Sequence, residues 1–383
     1  MAENPDKILN PEFGFKYTDL FDTHKLKDLH SAFLSYFEKA DNEKYNEFKR
    51  YADSGGEGFT SLDISKTLID SAPFLSSFIG KLFRIEAQLD KLFYETKYEN
   101  DVLVFKKDFV QKEIWKKYKS AEPGNFDWDA LSSFVNTLKE IAYNDYDFNK
   151  DEEKYTAKFV LELAELEKNY RWFYEGDKFA PENFEIPAKI KSRAEEIISS
   201  LKSKNLLTDA PDLDNLREIL QQVKDWLFVK FFKDKNTKKW VSYFDPKKTD
   251  YDHLVEYSSP SPDIMDNPED HFRQRDGFKL NDFPRTERQL LNQVDYCMYC
   301  HEREKDSCSK GLTDRMGTLQ TNPLGNKLHG CPLEEKISEA HILRKEGLPL
   351  AAFSLIMIDN PMCPGTGHRI CNFCMKGCIF QTL

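Results

Sequence analysis

Eight cysteines near the C-terminal end of this 383-residue chain are its clearest candidates for chemistry. Their spacing is C-x2-C-x7-C-x22-C-P, followed after 29 residues by M-C-P-x6-C-x2-C-x3-C, and residues 1–296 contain no cysteine. Because one cubane iron–sulfur cluster binds four cysteine thiolates, eight cysteines match two clusters. The candidate metal ligands are Cys297, Cys300, Cys308, Cys331, Cys363, Cys371, Cys374 and Cys378.

Two details of this spacing are typical of iron–sulfur proteins. A C-x2-C loop supplies two thiolates from a single turn, and such loops start at Cys297 and at Cys371. In chains with two clusters, a cysteine followed by proline is often the ligand that comes from the distant motif. Here Cys331 and Cys363 are each followed by proline. The spacing therefore predicts two 4Fe–4S clusters.

Two other kinds of site compete for the same cysteines. Structural zinc also uses C-x2-C pairs, although usually two pairs for each ion with shorter gaps between them. The segment Cys297-x2-Cys300-His301 matches the attachment signature of c-type haem, but that chemistry normally needs an exported protein and would leave six cysteines unexplained. Zinc is therefore the main alternative to iron.

Composition and charge narrow the class of protein. Apolar residues make up 40% of the chain and charged residues 32%, as in globular proteins. The N-terminus lacks the basic region followed by an apolar stretch that is typical of a signal peptide. The longest apolar run, residues 348–358, is too short to span a membrane. We therefore expect a cytoplasmic protein, in which reduced thiols bind metal instead of forming disulfides.

The net charge of −11 is unevenly distributed along the chain. Residues 285–383 carry a net charge of +1, whereas residues 1–284 carry −12. Because nucleic-acid phosphates repel an acidic surface, we expect no nucleic-acid partner.

Helical periodicity dominates the first 225 residues, so the fold class is predicted to be mainly α. Apolar residues recur at three- and four-residue steps from Leu75 to Leu92, which predicts one amphipathic helix of about five turns. Aromatic and β-branched residues in 226–244 instead suggest a β-hairpin. Other helices are predicted at 26–37, 159–170, 190–201 and 213–226.

The same patterns predict the domain organisation and the elements around the cysteines. We expect a helical domain of unknown role at 1–245, a proline-containing linker at 246–285 and a cysteine domain at 286–383. Thr286 and Gln289 form a capping-box pattern at the start of a helix. Two further helices are predicted between the cysteine groups, at 333–346 and 349–358.

Residues 329–380, HGCPLEEKISEAHILRKEGLPLAAFSLIMIDNPMCPGTGHRICNFCMKGCIF, resemble a known cluster domain. The segment looks like the N-terminal twin 4Fe–4S, α-helical ferredoxin domain of glutamate synthase small subunits and dihydropyrimidine dehydrogenase. It looks closer still to large bacterial FAD-dependent pyridine nucleotide-disulfide oxidoreductases. The resemblance covers roughly residues 270–383. It implies an α-helical ferredoxin-like domain at 286–383 that passes electrons between a flavin domain and a second site.

By position, the resemblance implies two ligand sets. Cys297, Cys300, Cys308 and the crossed-over Cys378 would hold one cluster. Cys331, Cys363, Cys371 and Cys374 would hold the other. The 22-residue insertion between Cys308 and Cys331 departs from the small-subunit pattern.

The chain also lacks the flavin-binding part of these enzymes. No strand followed by G-x-G-x-x-G occurs in it, so FAD and NAD(P)H would bind only to a separate or missing flavoprotein part. The sequence identifies no catalytic residue and no complete active site. The function that we expect is an iron–sulfur electron-transfer module of a glutamate synthase-like NAD(P)H oxidoreductase, split or truncated, with a flavoprotein partner. A zinc-stabilised interaction scaffold and an inactive remnant of a larger oxidoreductase are the alternatives.

Overall fold

A computed structural model describes residues 13–244, 249–268, 277–278, 284–367 and 370–380. The described chain is mainly helical, which confirms the predicted fold class. A π-helical segment lies at Phe105–Trp115, and two short strands form a small antiparallel hairpin. The elements are α1 (Thr23–Ala40), α2 (Asn42–Ser54), α3 (Ser61–Phe83), α4 (Glu86–Val104), α5 (Trp128–Ala142), α6 (Glu152–Glu175), α7 (Ala188–Ser203), α8 (Asp212–Lys233), β1 (Ser258–Ser261), β2 (Ile264–Asp266), α9 (Glu287–Asp295), α10 (Ser307–Lys310), α11 (Ile337–Lys345), α12 (Pro349–Asp359), α13 (Cys363–Thr366) and α14 (Phe373–Gly377).

The chain forms two compact units, and they divide it differently from the sequence-based domains. One unit combines residues 1–97 with 246–383, and the other contains 98–245. The N-terminal helices therefore belong with the cysteine region instead of forming one domain with residues 98–245. The expected linker at 246–285 contains the hairpin β1–β2. Its segments 246–248, 269–276 and 279–283 lie outside the described residues.

The unit formed by 98–245 is built on α5 to α8 and the π-helical segment. The predicted helices after Pro187 and Pro211 are confirmed as α7 and α8. The predicted hairpin at 226–244 is wrong. Trp226 and Phe228 are buried in the core on α8, which continues to Lys233 and is followed by two short 3-10 turns. Core packing thus overrode the local β propensity of this aromatic stretch.

An aromatic core holds α1, α2 and α3 together. Phe37 is fully buried and stacks on Phe74 with ring centroids 4.4 Å apart. Phe33, Tyr45 and Phe78 are buried in the same cluster. These rings explain why the apolar periodicity of the first 84 residues produces a three-helix arrangement, because each helix buries one aromatic face.

The single helix predicted over Leu75–Leu92 is wrong, because the chain breaks between α3 and α4. Arg84 adopts a left-handed conformation with φ 56°. The N–H of Ile85 donates to the carbonyl of Gly80 at 2.9 Å, which closes a Schellman-type helix end. Apolar spacing did not reveal the break, because Leu89 resumes the same pattern after the turn and packs close to Gly80.

Arg84 carries backbone strain that glycine would relieve. A left-handed conformation costs a residue with a side chain about 1–2 kcal/mol, and glycine is the usual residue at this position. We expect Arg84→Gly to raise the free energy of unfolding by about 0.5–1 kcal/mol in urea denaturation. Arg84→Ala removes the same side chain but keeps the strain, so it should give no gain. Equal stability of the two variants would contradict this account.

Helices α3, α11 and α12 share one small core within the first unit. Leu68 and Ala72 of α3 cluster with Leu343, Ala351 and Leu355 from the other two helices. The predicted helices 333–346 and 349–358 appear as α11 and α12, separated by Gly347 with φ 88°. The described part of the chain contains no helix that is long and apolar enough to cross a membrane.

Candidate metal centre

Short elements place the eight cysteines around the ends of α9, α11 and α12. The capping box of Thr286 and Gln289 starts α9 as predicted, and Cys297 follows this helix. Cys300 opens a 3-10 turn and Cys308 lies in α10. Cys363 begins α13, whereas Cys374 lies in α14 and Cys378 follows it directly.

Four of the thiols are mutual neighbours, and we call them the first group: Cys297, Cys300, Cys308 and Cys378. A hydrogen bond with Cys378, together with burial, raises the pKa of Cys308 well above its usual range. Burial raises the pKa of Cys297 to about 11, and Cys300 and Cys378 add to the rise. Burial also raises the pKa of Cys300, and Cys378 contributes again. Each thiolate would therefore destabilise the others unless a cation lay between them.

The other four thiols form the second group: Cys331, Cys363, Cys371 and Cys374. Burial raises the pKa of Cys374 to about 11, with further contributions from Cys371, Glu335 and Cys331. Burial raises the pKa of Cys371, and Glu335, Cys331 and Cys363 add to it. The two groups have the same members as the two ligand sets that the resemblance implied. That these cysteines bind metal stays a prediction.

A cavity of about 230 Å³ adjoins the first group. All four of its cysteines line this cavity, and Cys374 of the second group reaches it as well. The wall includes apolar side chains such as Ile337, Ile379 and Phe380. The first group thus faces a largely apolar space, and α14 places a thiol of the second group beside it.

Three glycines let the segments that carry Cys308, Cys331 and Cys378 pass very close to one another. A Cβ on Gly330 would lie 2.3 Å from the carbonyl oxygen of Ser309, and one on Gly377 would lie 2.6 Å from that of Ser307. Gly311 has φ 98° and faces the same contact. The N–H of Cys331 donates to the carbonyl of Cys308 at 2.8 Å. We call this contact the glycine junction, and it connects the two thiol groups.

Buried polar side chains link the cysteine region to α3. Nδ1 of His301 lies 2.5 Å from Oγ of Ser338, and Ser338 also contacts the carboxylate of Glu339. Ser65 of α3 donates to the same carboxylate at 2.5 Å. Glu339 is only 1% exposed. The hydrogen-bond partner of His301 in the structure is therefore Ser338, between the cysteine region and α3.

The cavity wall includes a histidine with a buried nitrogen that has no hydrogen-bond partner. His341 lines the cavity, and its Nδ1 is buried with no hydrogen-bond partner. Burial lowers the pKa of His341, which favours the neutral ring.

Among the described residues, no three His, Cys, Asp or Glu side chains converge as ligands of one metal ion. Iron–sulfur clusters and zinc both stay predictions for these thiols.

Comparisons with known proteins correct the family resemblance. Residues 11–84 match a family model described as the RP005 N-terminal alpha-helical domain. The chain is also 26% identical over 352 residues to "Uncharacterized protein RP005" of Rickettsia prowazekii (strain Madrid E), covering 88% of this chain and 98% of that protein. No solved structure matches. The resemblance to glutamate synthase, dihydropyrimidine dehydrogenase and FAD-dependent oxidoreductases is therefore wrong, since the matches are to RP005 and to no ferredoxin or glutamate synthase family.

The matched family region coincides with the first three helices of this chain. It ends at Arg84, the left-handed residue that closes α3, and it contains all of α1 to α3. The sequence had suggested no resemblance for these residues. Within this region, α3 packs against α11 and α12.

Proposed function

We propose that this protein is an iron–sulfur electron-transfer module that holds two 4Fe–4S clusters. The observation that supports it most is the sorting of eight thiols into two neighbouring groups of four, connected through the glycine junction. Four thiolates match the ligand requirement of one cubane cluster. In this proposal, residues 286–383 act as an α-helical ferredoxin-like cluster domain.

The donor set of the chain fits such clusters. Thiolates are the ligands that iron–sulfur clusters require, and all eight are free cysteines. When bound, each cluster accepts and releases one electron. The chain's own residues would hold the thiolates, exclude water with the apolar wall around the first group, and set the potential by hydrogen bonds and burial.

The proposal does not include a flavoprotein partner. That prediction, like the binding of FAD and NAD(P)H elsewhere, rested on the oxidoreductase resemblance that the comparisons overturn. A zinc-stabilised interaction scaffold is the rival function. Because zinc has no redox chemistry, reduction separates the two functions.

Electron paramagnetic resonance of the full chain, purified without oxygen, tests electron transfer directly. Reduction with dithionite should produce cluster signals that disappear on reoxidation, at about two spins per chain since each cluster takes up one electron. The two signals should broaden each other, because the glycine junction brings the thiol groups together. A protein that shows no signal and no change of absorbance on reduction would be the zinc scaffold.

His341 should tune the potential of the first cluster. Its buried, unpartnered Nδ1 can donate to a cluster sulfur, and such hydrogen bonds stabilise the reduced, more negative cluster. We expect His341→Leu to make reduction about tenfold less favourable, a shift of about −59 mV for one electron, in a redox titration. His341→Asn keeps an N–H donor and should recover part of the shift. Unchanged potentials in His341→Leu would rule out this role.

A further inference from the structure

A second cavity, of about 500 Å³, lies beside the second thiol group, and we call it the lysine groove. Its wall combines three parts of the chain: residues 249–254, residues 322–329 and α14. The middle part belongs to the insertion between Cys308 and Cys331, which the two-cluster function does not require. This insertion contains two isolated β-bridges, Thr313–Leu319 and Thr321–Lys327. The part of the groove wall that it forms is therefore held by backbone pairing.

The lining of the lysine groove carries charge of one sign. Lys327 and Lys376 line it, and no carboxylate is among the described residues that line it. Within the described residues, neither lysine is in an ion pair. The charged side chains in this wall are therefore positive, although the whole chain carries a net charge of −11. Such a site attracts an anion.

The remaining wall is apolar and aromatic. Phe373 and Leu324 are 43% and 55% exposed, and Tyr251 and Leu254 lie in the same groove. Nζ of Lys376 lies 5.1 Å from the ring centroid of Phe373, so a cation and an aromatic face stand side by side. Small-molecule sites are typically cavities of about 300–1,000 Å³ with an apolar wall and a few polar groups. The groove matches a ligand that combines a flat ring with a negative charge.

The groove also adjoins a cysteine of the second group. Phe373 and Met375, both in its wall, flank Cys374 in α14. His329 lies two residues before Cys331. A ligand in the groove would therefore contact the neighbours in sequence of two cysteines of that group.

We propose that the lysine groove binds a planar aromatic anion, a flat ring that carries a phosphate. Lys327 and Lys376 bind the phosphate, and the ring lies against Phe373.

Titration with flavin mononucleotide, followed by its fluorescence, tests the binding on the full chain. Riboflavin has the same ring without the phosphate, and we expect it to bind at least tenfold more weakly. The double variant Lys327→Gln/Lys376→Gln should weaken flavin mononucleotide at least tenfold and leave riboflavin nearly unchanged. Phe373→Leu should weaken both. The control Lys235→Gln/Lys238→Gln removes the same charge from exposed lysines of the other unit and should change nothing.

The outcomes separate this proposal from the cluster function. No binding of flavin mononucleotide, or equal binding of both ligands, overturns the groove proposal even if the protein contains eight irons. Capture of an acidic peptide without flavin mononucleotide binding also overturns it, in favour of a protein-docking surface. Lysine-dependent binding to a protein that holds only zinc would keep the anion site and reject the clusters.

Discussion

Gly330→Ala is expected to remove both clusters and to destabilise the unit that holds them. The added Cβ would lie 2.3 Å from the carbonyl oxygen of Ser309 and 2.4 Å from the amide nitrogen of Gly311. Both are backbone atoms, so no side-chain rotation can relieve the clash. Overpacking typically costs about 1–3 kcal/mol, and a clash with backbone should reach the upper end of that range.

Gly330→Ala should affect both thiol groups, because the glycine junction connects them. Gly330 precedes Cys331 of the second group, and its contact partners Ser309 and Gly311 closely follow Cys308 of the first group. Separating the segments would break the bond from the N–H of Cys331 to the carbonyl of Cys308. Because ligands placed by folding hold the metal, loss of this geometry should release iron.

Gly365→Ala is the matched control for this variant. It makes the same chemical change two residues after Cys363, where a Cβ would meet no atom within 4 Å and the backbone is not left-handed. Iron content and thermal unfolding should therefore match those of the unaltered protein. If Gly330→Ala behaved like Gly365→Ala, the glycine junction would not be what connects the two groups.

Each single cysteine variant should lose only the iron that is bound by its own thiol group. Cys300→Ser is expected to lose the first cluster and Cys371→Ser the second, each leaving about four of eight irons, since a cubane needs all four thiolates. The double variant should bind almost none. Iron analysis combined with resonance spectra of the reduced proteins measures this division, because each single variant should keep a different signal.

The two cysteines around α14 give the sharpest form of the same test. Cys378 belongs to the first group through its hydrogen bond with Cys308, whereas the pKa of Cys374 is raised by burial, Cys371 and Cys331. Cys378→Ser should therefore give the spectrum of Cys300→Ser, and Cys374→Ser that of Cys371→Ser. The opposite pairing would exchange these two ligands, and full iron in any single variant would remove that cysteine from the ligand set.

Elements with strong periodicity or clear end signals could be predicted from the sequence. The helices after Pro187 and Pro211, and the capping box at Thr286, follow from local residue patterns and occur in the structure. The break at Arg84 did not follow, because an arginine in a left-handed conformation has no sequence signal of its own. The aromatic stretch after Trp226 led to the wrong prediction of a β-hairpin, because its rings pack into a helical core.

The candidate site could be predicted in its residues but not in its surroundings. The cysteine spacing predicted eight ligands for two clusters, and the membership of the two sets came only from the family resemblance. The partner of Gly330 is Ser309, 21 residues earlier in the chain, and only the folded backbone brings them together. Glycines directly before Cys331 and Cys378 were the available signal for this close contact. The role of α3 in packing against α11 and α12 had no comparable signal.

Counting iron, zinc and acid-labile sulfide in the full chain, purified without oxygen, tests the central proposal most directly. Two clusters predict about eight irons and eight sulfides per chain, with a broad visible absorbance that bleaches on reduction with dithionite. About two zinc ions per chain, with no sulfide and no colour, would contradict the electron-transfer function and establish the zinc scaffold in its place.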